Sequence, residues 1–284
     1  LAQATADAPA SPWKVNMGAR FRWEDANQFD LYNRKQFSHI RLRPMVTFEG
    51  VEKLKIVMEP QFAKVFGNYA YVPSSTTANT GRETSGNSSY TGVDDTFALR
   101  NAYMDLSVHE YLNIITGRQA LSYGDQYIVG VSNWGVYGRT FDAVRLRSTF
   151  GKNWVDVFQA KIVENTASNS NKGDDKDFAG LYMSFVPADS VKALDLYAFY
   201  LSDNQKSTAN NNTADTNRPW HFGVYGTRFV TEFGALGWKF EYAKNFGSEN
   251  TTSMGDNKEN DMIDTQVDFK FGETAKHKVG LQFM

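Results

Sequence analysis

The chain has 284 residues, a formal net charge of −2, no cysteine, and 21 Phe, 14 Tyr and 6 Trp. The charge argues against a general nucleic-acid binder. The absence of cysteine removes thiol nucleophiles and zinc–thiolate sites, and it suits a chain that crosses an oxidising periplasm unfolded. No apolar run reaches the roughly 18 residues of a membrane-spanning helix, a test that leaves strand barrels untouched because their lipid-facing and interior residues alternate.

Residues 1–12, starting Leu1-Ala2-Gln3-Ala4-Thr5-Ala6, have neither a basic region nor an apolar stretch. They read as a flexible segment left after signal-peptide removal, followed by one barrel domain over 13–284. From Trp13 onward the period is two. In Trp13–Phe21, Trp13, Val15, Met17, Ala19 and Phe21 alternate with Lys14, Asn16, Gly18 and Arg20, and Arg22 follows. In His39–Glu49, Ile40, Leu42, Pro44, Val46 and Phe48 share one face, and His39, Arg41, Arg43, Met45, Thr47 and Glu49 the other. In Lys53–Phe62, Leu54, Ile56, Met58, Pro60 and Phe62 oppose Lys53, Lys55, Val57, Glu59 and Gln61. Less regular strands cover 96–108, 111–121, 140–150, 153–164, 177–187, 191–202 and 219–231. Clean alternation returns at Leu236, Trp238, Phe240, Tyr242 and at Ile263, Thr265, Val267, Phe269, Phe271, and the last strand spans 276–284. Pro44 and Pro60 each remove a ladder hydrogen bond, which predicts a bulge or a locally open strand pair.

The connections alternate in length. Tight turns fall at Glu49-Gly50, His109-Glu110, Gly151-Lys152-Asn153, Pro187 to Ser190, Glu232-Phe233-Gly234 and Gly272-Glu273-Thr274. Loops rich in Asn, Ser, Thr, Gly and Asp cover about 24–36, 66–94, 122–139, 165–176, 203–218 and 247–259. Long strands joined by alternating short turns and long loops predict an all-β, antiparallel up-and-down transmembrane barrel with about 12–14 strands in this chain. A β-sandwich fits less well, because its Greek-key connections break such order. The location that follows is the bacterial outer membrane, with the N-terminus periplasmic and the long loops extracellular.

With the apolar face in lipid, the charged face lines the interior. Its basic members are Arg20, Arg22, Arg41, Arg43, Lys53, Lys55, Arg145, Arg147, Lys161, Lys239, Lys270 and Lys278. They outnumber Glu49, Glu59, Asp105, Asp195, Glu241, Asp264 and Asp268. Arginine and lysine rings select anions, and the i, i+2 spacing of Arg20/Arg22, Arg41/Arg43 and Arg145/Arg147 puts each pair on one wall. The alternative role is structural, with Arg41 or Arg43 pairing Glu59 or Glu49 on neighbouring strands.

The most distinctive stretch runs Gly117-Arg118-Gln119-Ala120-Leu121-Ser122-Tyr123-Gly124-Asp125-Gln126, then Asn133-Trp134, then Gly138-Arg139-Thr140-Phe141-Asp142-Ala143-Val144-Arg145-Leu146. It resembles the alginate-export family of Gram-negative outer-membrane barrels, which carries a similar GRQ, tyrosine–glycine–acid, tryptophan and GRTFDAVRL series. The resemblance implies a monomeric barrel with an electropositive, constricted pore for a polyuronate or other solute. It also implies roles at the pore for Arg118, Arg139, Asp142 and Arg145: guanidinium forks for carboxylates, Asp142 orienting Arg139 or Arg118, and Trp134 packing the loop at the mouth. A clasp that folds 122–139 inward is the alternative use of the same residues. The family archetype is longer, with about 18 strands, so a smaller anionic or polar solute is as good an expectation as alginate.

The expected partners are therefore outer-membrane lipid and lipopolysaccharide together with anionic or polar solutes or polysaccharide, with no cofactor and no catalytic residues. His39, His109, His221 and His277 show no metal spacing, and Gly173-Asp174-Asp175-Lys176-Asp177 reads as a solvated acidic turn rather than a calcium loop. Two other classes remain: a barrel hydrolase, for which His221 with Asp195 is the pair to nominate, and a structural or adhesive surface barrel. With odd strands running outward, a thirteenth strand ends at the cell surface, and Met284 follows Phe283 where an aromatic end is usual. The expectation is closing strands beyond residue 284.

Overall fold

The structure, a computed structural model, describes residues 11–26, 35–67, 95–134, 138–163, 176–203, 220–248, 259–272 and 277–283. They form β1 (Trp13–Ala26), β2 (Lys35–Val51), β3 (Leu54–Gly67), β4 (Asp95–His109), β5 (Leu112–Gln119), β6 (Phe141–Phe150), β7 (Asn153–Val163), β8 (Lys176–Phe185), β9 (Val191–Asp203), β10 (Trp220–Phe233), β11 (Leu236–Ser248), β12 (Asp261–Phe271) and β13 (His277–Phe283). These thirteen strands lie in sequence order in one sheet, and the described ladders are antiparallel. The antiparallel up-and-down topology expected from the alternating connections is thus present. Loops 66–94, 165–176, 203–218 and 247–259, including most of the acidic turn at 173–177, lie largely or wholly outside the described residues.

The first turn differs from expectation. Val51 pairs with Leu54, so the reversal is at Glu52-Lys53, and a register shift between Phe48 and Val51 absorbs Glu49-Gly50 as a bulge. Lys53 therefore occupies a turn with φ 63°, not the polar face of β3 as the alternation suggested. The two prolines behave as expected. The β2–β3 ladder runs to Leu42↔Phe62 and resumes at Val46↔Met58, so Pro44 and Pro60 face each other across an open stretch. Neither ring nitrogen can donate a hydrogen bond. A side-chain bond crosses the gap instead, Arg43 Nε donating to Gln61 Oε1 at 2.6 Å.

The chain divides into two compact units. One contains Leu1–Met104, Arg118–Ala120 and Val131–Thr140; the other contains Asp105–Gly117, Leu121–Gly130 and Phe141–Met284. Both are inside out by the standards of a soluble sheet. In the first unit Val15, Met17 and Phe21 are 65–69% exposed, while His39, Arg41, Arg43, Glu59 and Gln61 are buried. In the second, Val144, Leu146, Val157 and Leu196 are exposed, while Asp156, Asp195, Glu241 and Asp264 are buried. An apolar exterior over a polar interior is stable only where the surrounding medium is hydrocarbon.

The apolar exterior has visible borders. Outward rings gather near the turn ends, with the Trp13 and Phe48 ring centroids 4.6 Å apart and with Tyr111, Phe150 and Phe233 exposed. Such rings favour the lipid–water interface. At the opposite strand ends of the second unit, Asp142, Lys161, Asp177 and Ser202 are successive register partners, and Lys161 Nζ lies 2.9 Å from Asp177 Oδ1. These four share the outward parity of Val144, Val157, Leu181 and Leu196, so the polar row closes the apolar band. An arginine placed inside that band, Leu146→Arg, is expected to cost about 2–4 kcal/mol. Urea titration of the protein refolded into lipid vesicles measures it, and a cost near zero would mean that this face does not meet hydrocarbon.

Beside its buried carboxylates, the interior of the second unit holds an aromatic cluster. Tyr123, Trp154, Phe158, Tyr182, Tyr197 and Phe199 pack together with centroids 4.7–6.5 Å apart. Glycines make room for the rings. A Cβ on Gly226 would lie 2.6 Å from the Tyr197 ring and its hydroxyl oxygen, so only glycine lets that ring lie flat on β10.

Candidate functional site

Asn133 and Trp134 are the focus of the first unit. The segment is shaped by its backbone: Ser132 takes φ 47° and Gly138 φ 76°, and the Arg139 N–H donates to Val131 O at 2.7 Å to close the neck. A Cβ on Gly138 would crowd Arg43 Nη2 at 3.2 Å and Asn133 Oδ1 at 3.4 Å, so glycine serves there both for its conformation and for space.

Arginines from three strands meet this segment. Arg20 donates to Asn133 O at 2.6 Å and to Trp134 O at 3.0 Å. Arg22 donates to Trp134 O at 2.5 Å, and its guanidinium lies 4.3 Å from the Trp134 ring centroid. Arg41 reaches Asn133 O at 3.3 Å, Arg43 reaches Asn133 Oδ1 at 3.1 Å, and Arg100 reaches the same oxygen at 3.4 Å. Buried His39 supports the cluster, its Nε2 lying 3.2 Å from Arg20 Nη2. Since arginine only donates, that nitrogen is the unprotonated one. Glu59 supplies a carboxylate, paired with Arg100 at 2.7 Å and hydrogen-bonded by Asn101.

Simple alternation does not single out Arg100, although a signal for it exists. Exposed apolar positions on β4 are odd at Phe97 and even at Met104, Leu106 and Val108. Alternation therefore changes phase, and the adjacent Arg100 and Asn101 both reach Glu59. A bulge does this.

In the second unit, residues 121–130 lie against the buried face. Leu121, Tyr123 and Val129 are buried with the aromatic core. Asp125 bridges Arg228 at 2.8 Å and Lys239 at 2.8 Å. Tyr127 sits 5.2 Å below Lys239 and accepts from Gln282 at 2.8 Å. Burial pushes the Asp125 carboxyl up, but hydrogen bonds from Lys239 and Arg228 outweigh it and hold the group below the usual carboxylate range. At neutral pH both bridges are charge-assisted.

The structure redistributes the residues expected at a pore. Arg20, Arg22, Arg41 and Arg43 come together, joined by Arg100. Arg145 and Arg147 belong to a separate clasp: Arg147 grips Asp156 with two bonds of 2.7 and 2.6 Å, Arg145 lies 3.6 Å from it, and Tyr123 donates to it at 3.2 Å. Lys239 is held between Asp125 and Asp264, at 2.8 and 3.0 Å. Lys161 and Asp142 lie on the outward parity, opposite the expected interior side, because β7 buries its even residues Asp156, Phe158 and Ala160. Arg118 and Arg139 are exposed, and Arg139 contributes its backbone to the segment's neck. The Trp134 ring is 73% exposed and held by Arg22 rather than packed inside. The nominated hydrolase pair does not form. Asp195 is buried against Tyr182 and Arg228, whereas His221 stacks on the outward Tyr200.

Charge is likewise sorted by unit. Among the described residues, the buried-face parity of the first unit carries Lys14, Arg20, Arg22, Arg41, Arg43, Lys55 and Arg100 with Glu49 and Glu59. That of the second carries Arg145, Arg147, Lys176, Arg228, Lys239 and Lys270 with Asp105, Asp156, Asp195, Glu232, Glu241, Asp264 and Asp268, and Asp125 is added by the 121–130 segment. The expected basic excess thus resides in the first unit alone. The Lys278 side chain lies outside the described residues.

Comparison with known proteins agrees with this architecture. The alginate export family matches residues 14–283. Among solved structures, a loop L8 deletion mutant of OmpT, an outer membrane protein of Vibrio cholerae, superposes with a TM-score of 0.53 at 13% identity, covering 96% of this chain and 82% of that one. A mutant of Rh. blastica porin is matched over 95% of this chain and 99% of its own at 10% identity, with a TM-score of 0.29, too low to bear on the fold. Comparison with curated protein sequences gave no match. With its sequential antiparallel strands, its apolar exterior and a family match over nearly its whole length, the chain belongs to the alginate export family of outer-membrane β-barrels.

Proposed function

We propose that the protein is a passive outer-membrane channel that favours anionic solutes, acidic saccharides among them, with its N-terminus periplasmic and its long loops outside. The observation that carries this reading is the convergence of Arg20, Arg22, Arg41, Arg43 and Arg100 on one small segment of a buried face. Guanidinium forks match carboxylates in geometry and charge. Low-dielectric walls focus the field of such a cluster on a permeating ion. The exposed Trp134 ring beside them offers an apolar face to a sugar ring, and the family's description as alginate export is consistent with that chemistry.

The protein reconstituted in a planar bilayer under a KCl gradient is expected to give a reversal potential of anion-selective sign. A cation-selective sign would overturn the reading, and no conductance at all would favour a structural or adhesive barrel.

A further inference from the structure

We propose that Asn133 and Trp134 are a built-in competitor for the solute: their oxygens occupy the guanidinium positions that a carboxylate of the permeating anion takes when it displaces them. This inference rests on the anion-channel reading and adds the regulation of the same site.

The segment presents three oxygens, Asn133 O, Asn133 Oδ1 and Trp134 O, to five guanidiniums at 2.5–3.4 Å. All three are neutral amide oxygens. A carboxylate can take a guanidinium with two parallel bonds and carries the opposite charge, whereas an amide oxygen offers neither, so an anion that reaches the cluster exchanges weaker acceptors for stronger ones. The two oxygens on Asn133 divide the arginines between them: Arg20 and Arg41 take one while Arg43 and Arg100 take the other.

The segment is built to let go. Ser132 sits in the left-handed region, a strained position for a residue with a Cβ that costs roughly 1 kcal/mol or more. The Trp134 ring is 73% exposed, so it adds little burial to hold the segment in place. By contrast Leu121, Tyr123 and Val129 are 0–5% exposed, so residues 121–130 stay anchored in their own unit. Displacement of 132–134 therefore leaves residues 121–130 in place. The solute opens its own binding cluster, and the segment refills it once the solute has gone.

The test uses the whole chain, whose lack of native cysteine makes Ser132→Cys a unique spin-label site. The probe is a galacturonate trimer, with maltotriose as the neutral control. In lipid vesicles the trimer is expected to mobilise the label and maltotriose is not. In single-channel recordings the trimer is expected to block current, and Asn133→Asp, which supplies a carboxylate of its own, is expected to raise the half-blocking concentration by about tenfold. Asn133→Ala removes one of the three oxygens and is expected to lower it. An anion-selective channel that the trimer blocks equally in wild type and Asn133→Asp, with no change in the label, would overturn the competitor and leave the channel reading standing. A cation-selective wild type that the trimer does not block would overturn both.

Discussion

Replacing Arg20 and Arg41 together with glutamate is expected to reverse the channel's ion preference. Both side chains point into the cluster at Asn133, and each substitution changes the local charge by about two units within a few ångströms of the path a solute would take. Potentials in such clefts alter local ion concentrations by roughly tenfold or more, so the anion-to-cation permeability ratio is expected to fall by at least about that factor. The reversal potential under a KCl gradient reads it directly. The informative control is the same double reversal at Arg145 and Arg147. These two resemble Arg41 and Arg43 in sequence, yet they are tied to Asp156, and their reversal is expected to damage folding rather than to tune selectivity. Equal selectivity shifts from the two pairs would show that the division between a solute-facing cluster and a structural clasp is wrong.

Asp156→Ala is expected to cost about 3–5 kcal/mol, the usual penalty for stranding buried partners of a removed charge. Asp156 is 0% exposed and gathers Arg147 with two bonds, Arg145 at 3.6 Å and the Tyr123 hydroxyl. Its loss leaves two guanidiniums facing each other beside an aromatic stack. Arg147 also lies 4.5 Å over the Trp154 ring, so the disturbance passes into the core. Urea unfolding of the variant in lipid vesicles measures the cost. Because Tyr123 anchors residues 121–130, protease cleavage within that segment is expected to rise in parallel. A loss below about 1 kcal/mol would mean that water replaces the missing carboxylate and that the clasp is not a buried network.

Much of this molecule is legible from period-two alternation. Strands such as β2, β3, β11 and β12 announce themselves because hydrocarbon outside and polar groups inside impose opposite demands on successive residues. The facing prolines are readable as an interruption, since the missing N–H is a property of the residue and not of its surroundings. Alternation puts the first turn too early because Gly50 has the chemistry of a turn, yet Glu49-Gly50 is absorbed as a bulge, which sequence does not distinguish from a reversal. The parity of Arg100 escapes a simple alternation count because β4 changes phase along its length, whereas Lys161 and Asp142 follow the outward parity of Val157 and Val144 and were expected inside because they are polar.

By itself the sequence determined the all-β class, the order and approximate bounds of the strands, the membrane-facing exterior and the stretch from Gly117 to Leu146 that carries the family resemblance. These depend on local alternation and local turn chemistry. Only the tertiary structure decided which arginines gather around neutral oxygens and which hold the protein together. The i, i+2 pairs Arg41/Arg43 and Arg145/Arg147 look alike along the chain. They differ because Asn133 approaches the first pair with neutral oxygens, while a strand neighbour, Asp156, meets the second with a buried carboxylate. A charge's role is set by what lies across from it, and that partner is chosen by register and by the folding back of a loop, neither of which the spacing of the arginines contains.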